Sequence, residues 1–214
     1  MTKASQPSTP IAVVFDLGGV MAEICHTWED AAECAGVRCS RLTGGPTKLT
    51  ELPELDKYQA GEISLDEYLY ELSQFVGCTF DEALKVHNGI LVAEYPGMGE
   101  LVDELRTRGL RTGCLSNTNP PHWDVLALNG QYPAIVSLDM KMASHLVGIN
   151  KPDPRIYALF CETFCLRPEA IAFFDDGHEN VDSAARCGWK AAWIDPSKDT
   201  PAQVRTHLLR LGVT

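Results

Sequence analysis

The stretch VVFDLGGVMAEI, residues 13 to 24, decides the fold of this chain. An apolar run stops at one acid, Asp16, and then turns on Gly18-Gly19. That is the pattern of a buried strand that delivers a single carboxylate to the tip of a sheet. Working outward, four more apolar runs follow: LRTGCLS (110–116), AIVSLD (134–139), AIAFF (170–174) and KAAWID (190–195). Segments of helical period separate or follow them at 97–108, 122–129, 153–165, 179–187 and 201–211. Near-continuous apolar strands alternating with helices predict an α/β fold, a doubly wound, mostly parallel Rossmann-like sheet covered on both faces. Such a sheet gathers its functional groups beyond the carboxyl ends of the strands.

The interval from 22 to 94 breaks this rhythm and shows no convincing strand. It holds two N-terminal capping boxes, SLDE (64–67) and TFDE (79–82), each opening an amphipathic helix. Earlier helices are expected near 27–36 and 50–58, with LTGGP (42–46) as a turn. The division expected is therefore a polar, disordered lead-in at 1–10, a catalytic core formed by 11–21 and 95–214, and a helical cap at 22–94 inserted over the strand ends.

Composition bounds the function. With 45% hydrophobic and 22% charged residues the chain can bury a sizeable core, and its formal net charge of -11 argues against nucleic acid or an anionic membrane as partner. No apolar run approaches the roughly 18 to 20 residues of a membrane span. The opening MTKASQPSTP lacks a signal peptide's apolar segment, so the protein reads as soluble and cytoplasmic. The eight cysteines include no CxxC pair and are read as reduced, small core residues. The histidines at 26, 87, 122, 145, 178 and 207 show no metal-ligand spacing and are read mostly as surface or loop residues, although His122 or Trp123 could face a pocket. Oligomeric state stays open between monomer and dimer.

Each strand end brings a specific polar group: Asp16, then Ser116-Asn117, then Lys151 in GINKPDP, then Asp175-Asp176. A carboxylate, a hydroxyl, an ammonium and an acid pair converging on one edge suit phosphoryl chemistry. The motifs FDLGGV, LSNTN, KPDPRIY and FFDDGHENVDSAARCGW, in this order between about residues 11 and 195, resemble those of the haloacid dehalogenase superfamily of hydrolases, and most closely its sugar-phosphatase branch, which includes α-glucose-1-phosphatases.

The resemblance implies a Mg²⁺-dependent phosphatase acting on a small phosphorylated metabolite, such as a sugar phosphate, through an aspartyl-phosphate. Asp16 would be the nucleophile; Ser116 and a backbone N–H near Asn117 would hold the phosphate. Lys151 would bind phosphate and keep Asp16 ionised, since a nearby cation lowers a carboxylate's pKa. Asp16, the Gly18 carbonyl and Asp176 would hold the metal, with Asn180 as an outer partner of Asp176, while Asp175 would orient Lys151 or a metal-bound water. The departure lies at Gly18, where the family usually carries a second aspartate that protonates the leaving oxygen and later activates water. Similar sugar phosphatases also carry glycine there. Three ways round the loss are open: a leaving group of low pKa, a proton from Glu23, or one from a polar cap residue such as His26. Two other functions stand beside the phosphatase: a 2-haloacid dehalogenase, which needs no metal, and a catalytically silent phospho-ligand binding or regulatory protein.

Overall fold

The structure, a computed structural model, describes residues 9 to 213, so most of the lead-in expected at 1–10 lies outside the described residues. Its strands are β1 Ala12–Phe15, β2 Ala22–Ile24, β3 Leu91–Glu94, β4 Arg111–Ser116, β5 Met140–Ala143, β6 Ile171–Asp175 and β7 Lys190–Trp193. Its α-helices are α1 Trp28–Ala35, α2 Pro53–Gln59, α3 Leu65–Val76, α4 Phe80–Asn88, α5 Met98–Thr107, α6 Pro120–Trp123, α7 Pro133–Ser137, α8 Ser144–Val147, α9 Pro154–Phe164, α10 His178–Arg186 and α11 Thr200–Arg210.

Five strands form one parallel sheet in the order β5-β4-β1-β6-β7, which puts β1 and its terminal Asp16 at the centre. Side chains alternate across a strand, and the two faces are filled from opposite sides. Val13, Phe15, Cys114 and Phe174 pack with Met98, Leu101 and Leu105 of α5 and Val204 and Leu208 of α11. Val14, Leu115, Ile171 and Phe173 pack with Ile156, Tyr157 and Phe160 of α9. The sheet is thus doubly wound, as its apolar strands predict.

Two expectations need correction. The run AIVSLD was read as the third strand, but Pro133–Ser137 is helical and the strand is the following Met140–Ala143. A short apolar run cannot be assigned to helix or strand by periodicity alone. Here Pro133 at the first helical turn presets φ and needs no hydrogen-bond acceptor, and β4 pairs instead with β5, in the register Gly113↔Met140 to Ser116↔Ala143. The interval 22–94 is likewise not free of strands: β2 and β3 form an antiparallel two-stranded ribbon at its two ends. At three and four residues these strands are too short to show a period.

Between the ribbon strands, α1 to α4 enclose a separate apolar core around Trp28, Leu55, Tyr68, Leu69, Leu72 and Val86. Both capping boxes form. Ser64 Oγ accepts from Glu67 N at 3.2 Å while Glu67 Oε2 accepts from Ser64 N at 2.8 Å, and Thr79 with Glu82 repeats the arrangement at 3.3 and 2.9 Å. The eight cysteines are free thiols, but not all are core residues: Cys34 and Cys165 are exposed. Among the described residues no helix is long and apolar enough to cross a membrane.

Candidate functional site

Asp16 follows β1, Ser116 ends β4, and Asp175 ends β6, so three parallel neighbours deliver their polar ends side by side. Lys151 arrives on the loop between α8 and α9, with Nζ 2.9 Å from Asp16 Oδ1 and 2.6 Å from Asp175 Oδ2. Asn117 fixes that loop: its Nδ2 donates to Lys151 O at 2.8 Å and its Oδ1 accepts from Lys151 N at 2.7 Å. The Asn117 side chain is therefore committed to positioning the lysine, and only its backbone is left for a phosphate. Ser116 and Asn117 line the inner end of a cavity between the sheet and the helical insertion.

Asp175 is fully buried and saturated. Besides Lys151, its Oδ1 accepts from Gly177 N at 2.8 Å and from Asn180 Nδ2 at 2.9 Å. Asn180 was expected beside Asp176; the structure gives it to Asp175 instead. Asp176 reaches the loop after β1 because Gly19 has no side chain. A Cβ there would lie 2.3 Å from Asp176 Oδ2, and the φ of +72° at Gly19 is one that only glycine adopts freely.

Asp16, Asp175 and Asp176 each offer a carboxylate oxygen within 4.8 Å of the others. Three carboxylates face one ammonium, and the effect on their protonation is large. Burial first, eased by Lys151 and reinforced by the charges of Asp175 and Asp176, raises Asp16 to about 7. Burial and then Asp175 raise Asp176 to about 6. For Lys151 the carboxylates outweigh the burial that opposes its charge, and its pKa rises. The lysine was expected to keep Asp16 ionised, but alone it is outweighed by burial. A divalent cation would restore the balance, and the donor set fits one. The ligands are all oxygen, as Mg²⁺ requires. Asp175 is saturated by Lys151, Gly177 and Asn180, so Asp16, which meets Lys151 through one oxygen, and Asp176 are the carboxylates that could hold the ion, and the Gly18 carbonyl accepts no hydrogen bond among the described residues.

Glu23 does not join this cluster. It is exposed on β2, where the pairing with β3 is irregular between Glu23 and Ile24, and of the two only Ile24 lines the cavity. His26 is exposed as well.

Sequence reading missed a polar network at the mouth of the site. His87, expected at the surface, is buried, and so is His122, which was read as a loop residue able to face a pocket and does line the cavity; their rings stack with centroids 4.0 Å apart. His122 Nε2 lies 2.9 Å from His87 O, and a carbonyl only accepts, so Nε2 carries the proton. Its Nδ1 then accepts from Asn119 Nδ2 at 3.3 Å. His87 Nε2 donates to Asn119 Oδ1 at 3.2 Å, and its Nδ1 accepts from Tyr68 OH at 3.2 Å. Every proton has one place, and both rings are neutral. Burial drives the His122 pKa down to about 4 and, with the neighbouring His122, holds His87 well below its ordinary value. The network ties α3 and α4 to the loop after β4. The legible signs were Asn119 before Pro120-Pro121, a helix cap, and His122 just behind LSNTN; nothing in spacing pairs either with His87.

Fold and site together define an α/β enzyme with a buried carboxylate, Asp16, directly after its central strand. A family model, haloacid dehalogenase-like hydrolase, matches residues 12–188, and the chain belongs to that family. It is similar to phosphatase MT3486 of Mycobacterium tuberculosis, 29% identical over an alignment of 222 positions that covers 94% of each protein. It is also similar to a phosphorylated carbohydrates phosphatase of Thermotoga maritima, 25% identical over 186 residues, 83% of this chain and 81% of that one. Among solved structures, that of a predicted HAD-like family hydrolase from Porphyromonas gingivalis superposes with a TM-score of 0.72 at 26% identity, covering 93% of this chain and 98% of the other.

Proposed function

We propose that this hydrolase is a Mg²⁺-dependent phosphatase that transfers the phosphoryl group of a small phosphomonoester to Asp16 and then to water. The observation that carries the reading is the Asp16–Lys151–Asp175 triad with Asp176 beside it: one carboxylate at the sheet tip, one buried ammonium, and an acid pair with an unbalanced charge. The phosphatase names of two relatives support it.

In this reading Asp175 and Asn117 position Lys151, and Lys151 holds a phosphate oxygen while neutralising part of the charge that builds up on phosphorus. Ser116 offers its hydroxyl to another phosphate oxygen. Asp16 and Asp176 would hold Mg²⁺, with Gly18 offering its carbonyl. The bound ion offsets the repulsion between an anionic nucleophile and an anionic substrate. The helical insertion acts as a cap that limits water at the strand ends. A metal-independent dehalogenase has no use for the acid pair, so the same geometry favours the phosphatase.

Phosphate release from p-nitrophenyl phosphate tests the reading. It is expected with Mg²⁺, lost in EDTA, and lost in Asp16→Asn. Turnover that survives Asp16→Asn removes Asp16 from the reaction; ligand binding without any turnover would point to a silent phospho-ligand binding protein.

A further inference from the structure

Among the described residues, the side of the site that would receive the leaving group is lined by apolar and neutral polar side chains, with no carboxyl group and a single histidine. A cavity of about 80 Å³ runs from Ser116 and Asn117 towards the helical insertion; Ile24, Leu49, Leu55, Ile90, Leu91 and Leu126 supply its apolar wall, and Gln59, Thr118, Asn119 and His122 its remaining polar lining. A Cβ on Gly18 would stand 2.9 Å from Ile24 Cδ1, so Ile24 fills the space that a longer side chain at position 18 would enter. Among the described residues His122 is the one titratable side chain that lines this cavity, and both its ring nitrogens are engaged, by His87 O and the Asn119 amide. No carboxyl group of the described residues lines this cavity, and Asp16 and Asp176 are assigned to the nucleophile and the metal. Asp175 is saturated by Lys151, Gly177 and Asn180, and Glu23 and His26 are exposed. Gln59, whose side chain has no hydrogen-bond partner among the described residues, can recognise one neutral polar group but is no acid.

We propose that the substrates are phenolic or acyl phosphates with a compact, uncharged, mainly apolar body, in preference to alkyl or sugar phosphates. The inference rests on Asp16 as phosphoryl acceptor. An Asp16 oxygen bonds to phosphorus as the bond to the leaving oxygen breaks, and the electron pair departs on that oxygen as a phenolate or carboxylate that needs no proton. Water then adds to phosphorus, the bond to Asp16 breaks, and inorganic phosphate leaves while a proton passes to solvent. A departing alkoxide is far more basic and requires a proton that no group here supplies. A hexose body would set most of its hydroxyls against leucine and isoleucine side chains, and the few neutral polar groups there, such as Gln59 and Thr118, are too few to partner them all.

Steady-state kinetics with Mg²⁺ on matched substrates test this. Phenyl phosphate should exceed cyclohexyl phosphate, its shape match with a basic leaving oxygen, by about 10²–10⁴-fold in kcat/KM, the ordinary contribution of a missing general acid. It should exceed 4-carboxyphenyl phosphate and glucose 6-phosphate by at least about 10-fold, because charge and hydroxyls are unpaired in the cavity. A steep fall of kcat/KM with leaving-group pKa across substituted phenyl phosphates is the companion result and needs no variant. In the double variant Gly18→Asp with Ile24→Ala, which makes room for an acid, cyclohexyl phosphate turnover should rise at least about 10-fold. Cyclohexyl phosphate or glucose 6-phosphate turned over within about 10-fold of phenyl phosphate, or a flat pKa dependence, would overturn the inference while Asp16-dependent hydrolysis continued. If turnover is absent on every substrate, or indifferent to Asp16→Asn, the parent reading fails and this one falls with it.

Discussion

Thermal unfolding with and without Mg²⁺ at two pH values reads the charge balance around Asp16 directly. Without a cation, burial raises Asp16 from 3.8 to about 7 and Asp176 from 3.8 to about 6. A carboxylate whose folded pKa lies above its unfolded one binds its proton more tightly when folded, so stability falls as pH rises between the two values. The penalty is absent below pH 4 and complete above pH 7. At 1.36 kcal/mol per pH unit, the rise at Asp16 from 3.8 to about 7 amounts to about 4 kcal/mol, an upper figure because its neighbours share it. Mg²⁺ removes the cause. At 100 times its Kd it adds about 2.7 kcal/mol, or about 5–11 °C in Tm for a chain of this length. At pH 5, protons compete about 100-fold at Asp16 and about 10-fold at Asp176, which reduces the Tm shift at the same Mg²⁺ concentration to below about 1 °C. Differential scanning fluorimetry at pH 5 and pH 8 checks this, with Asp176→Asn as control. Equal shifts at both pH values, or a shift that survives loss of both Asp16 and Asp176, would refute the assignment of these carboxylates to a metal.

Three further outcomes follow from named contacts. Gly19→Ala forces a Cβ to 2.3 Å from Asp176 Oδ2 at φ +72°, and should abolish the Mg²⁺-induced Tm shift while far-UV circular dichroism stays native. Asn117→Ala removes both bonds that hold the Lys151 backbone, and should cost about 1–3 kcal/mol in denaturant unfolding together with most of the phosphate release. His122 is depressed from 6.5 to about 4, so its contribution is complete above pH 6.5 and lost as pH falls towards 4; the stability of wild type relative to His122→Gln should shrink by about 3 kcal/mol between pH 7 and pH 4 in urea titrations.

The sheet was readable because burial on both faces demands uninterrupted apolar strands, and VVF, GCLS and AFF meet that demand within a few residues each. The capping boxes at Ser64 and Thr79 were readable because their bonding is local, between residues three apart. AIVSLD was not, since an apolar run of six residues fits a buried helix as well as a strand, and the competing partner, MKMA beside β4, is a tertiary choice. The ribbon β2–β3 closes over an interval of more than sixty residues, and no local period announces it.

For the site, the sequence by itself determined the chemical inventory: one acid after the central strand, a serine and asparagine after the next, a lysine in KPDP and an acid pair after AFF. Their strand-end positions follow from the wound sheet, and the family membership agrees with that inventory. Tertiary structure alone decided the pairings. It gave Asn180 to Asp175 rather than Asp176, turned the Asn117 side chain onto Lys151, stacked His87 on His122, and pressed Ile24 against Gly18. The reason is physical. Residue types fix which charges and donors exist, whereas protonation, saturation and the polarity of a cavity depend on what burial brings within about 3 Å, the reach of a hydrogen bond.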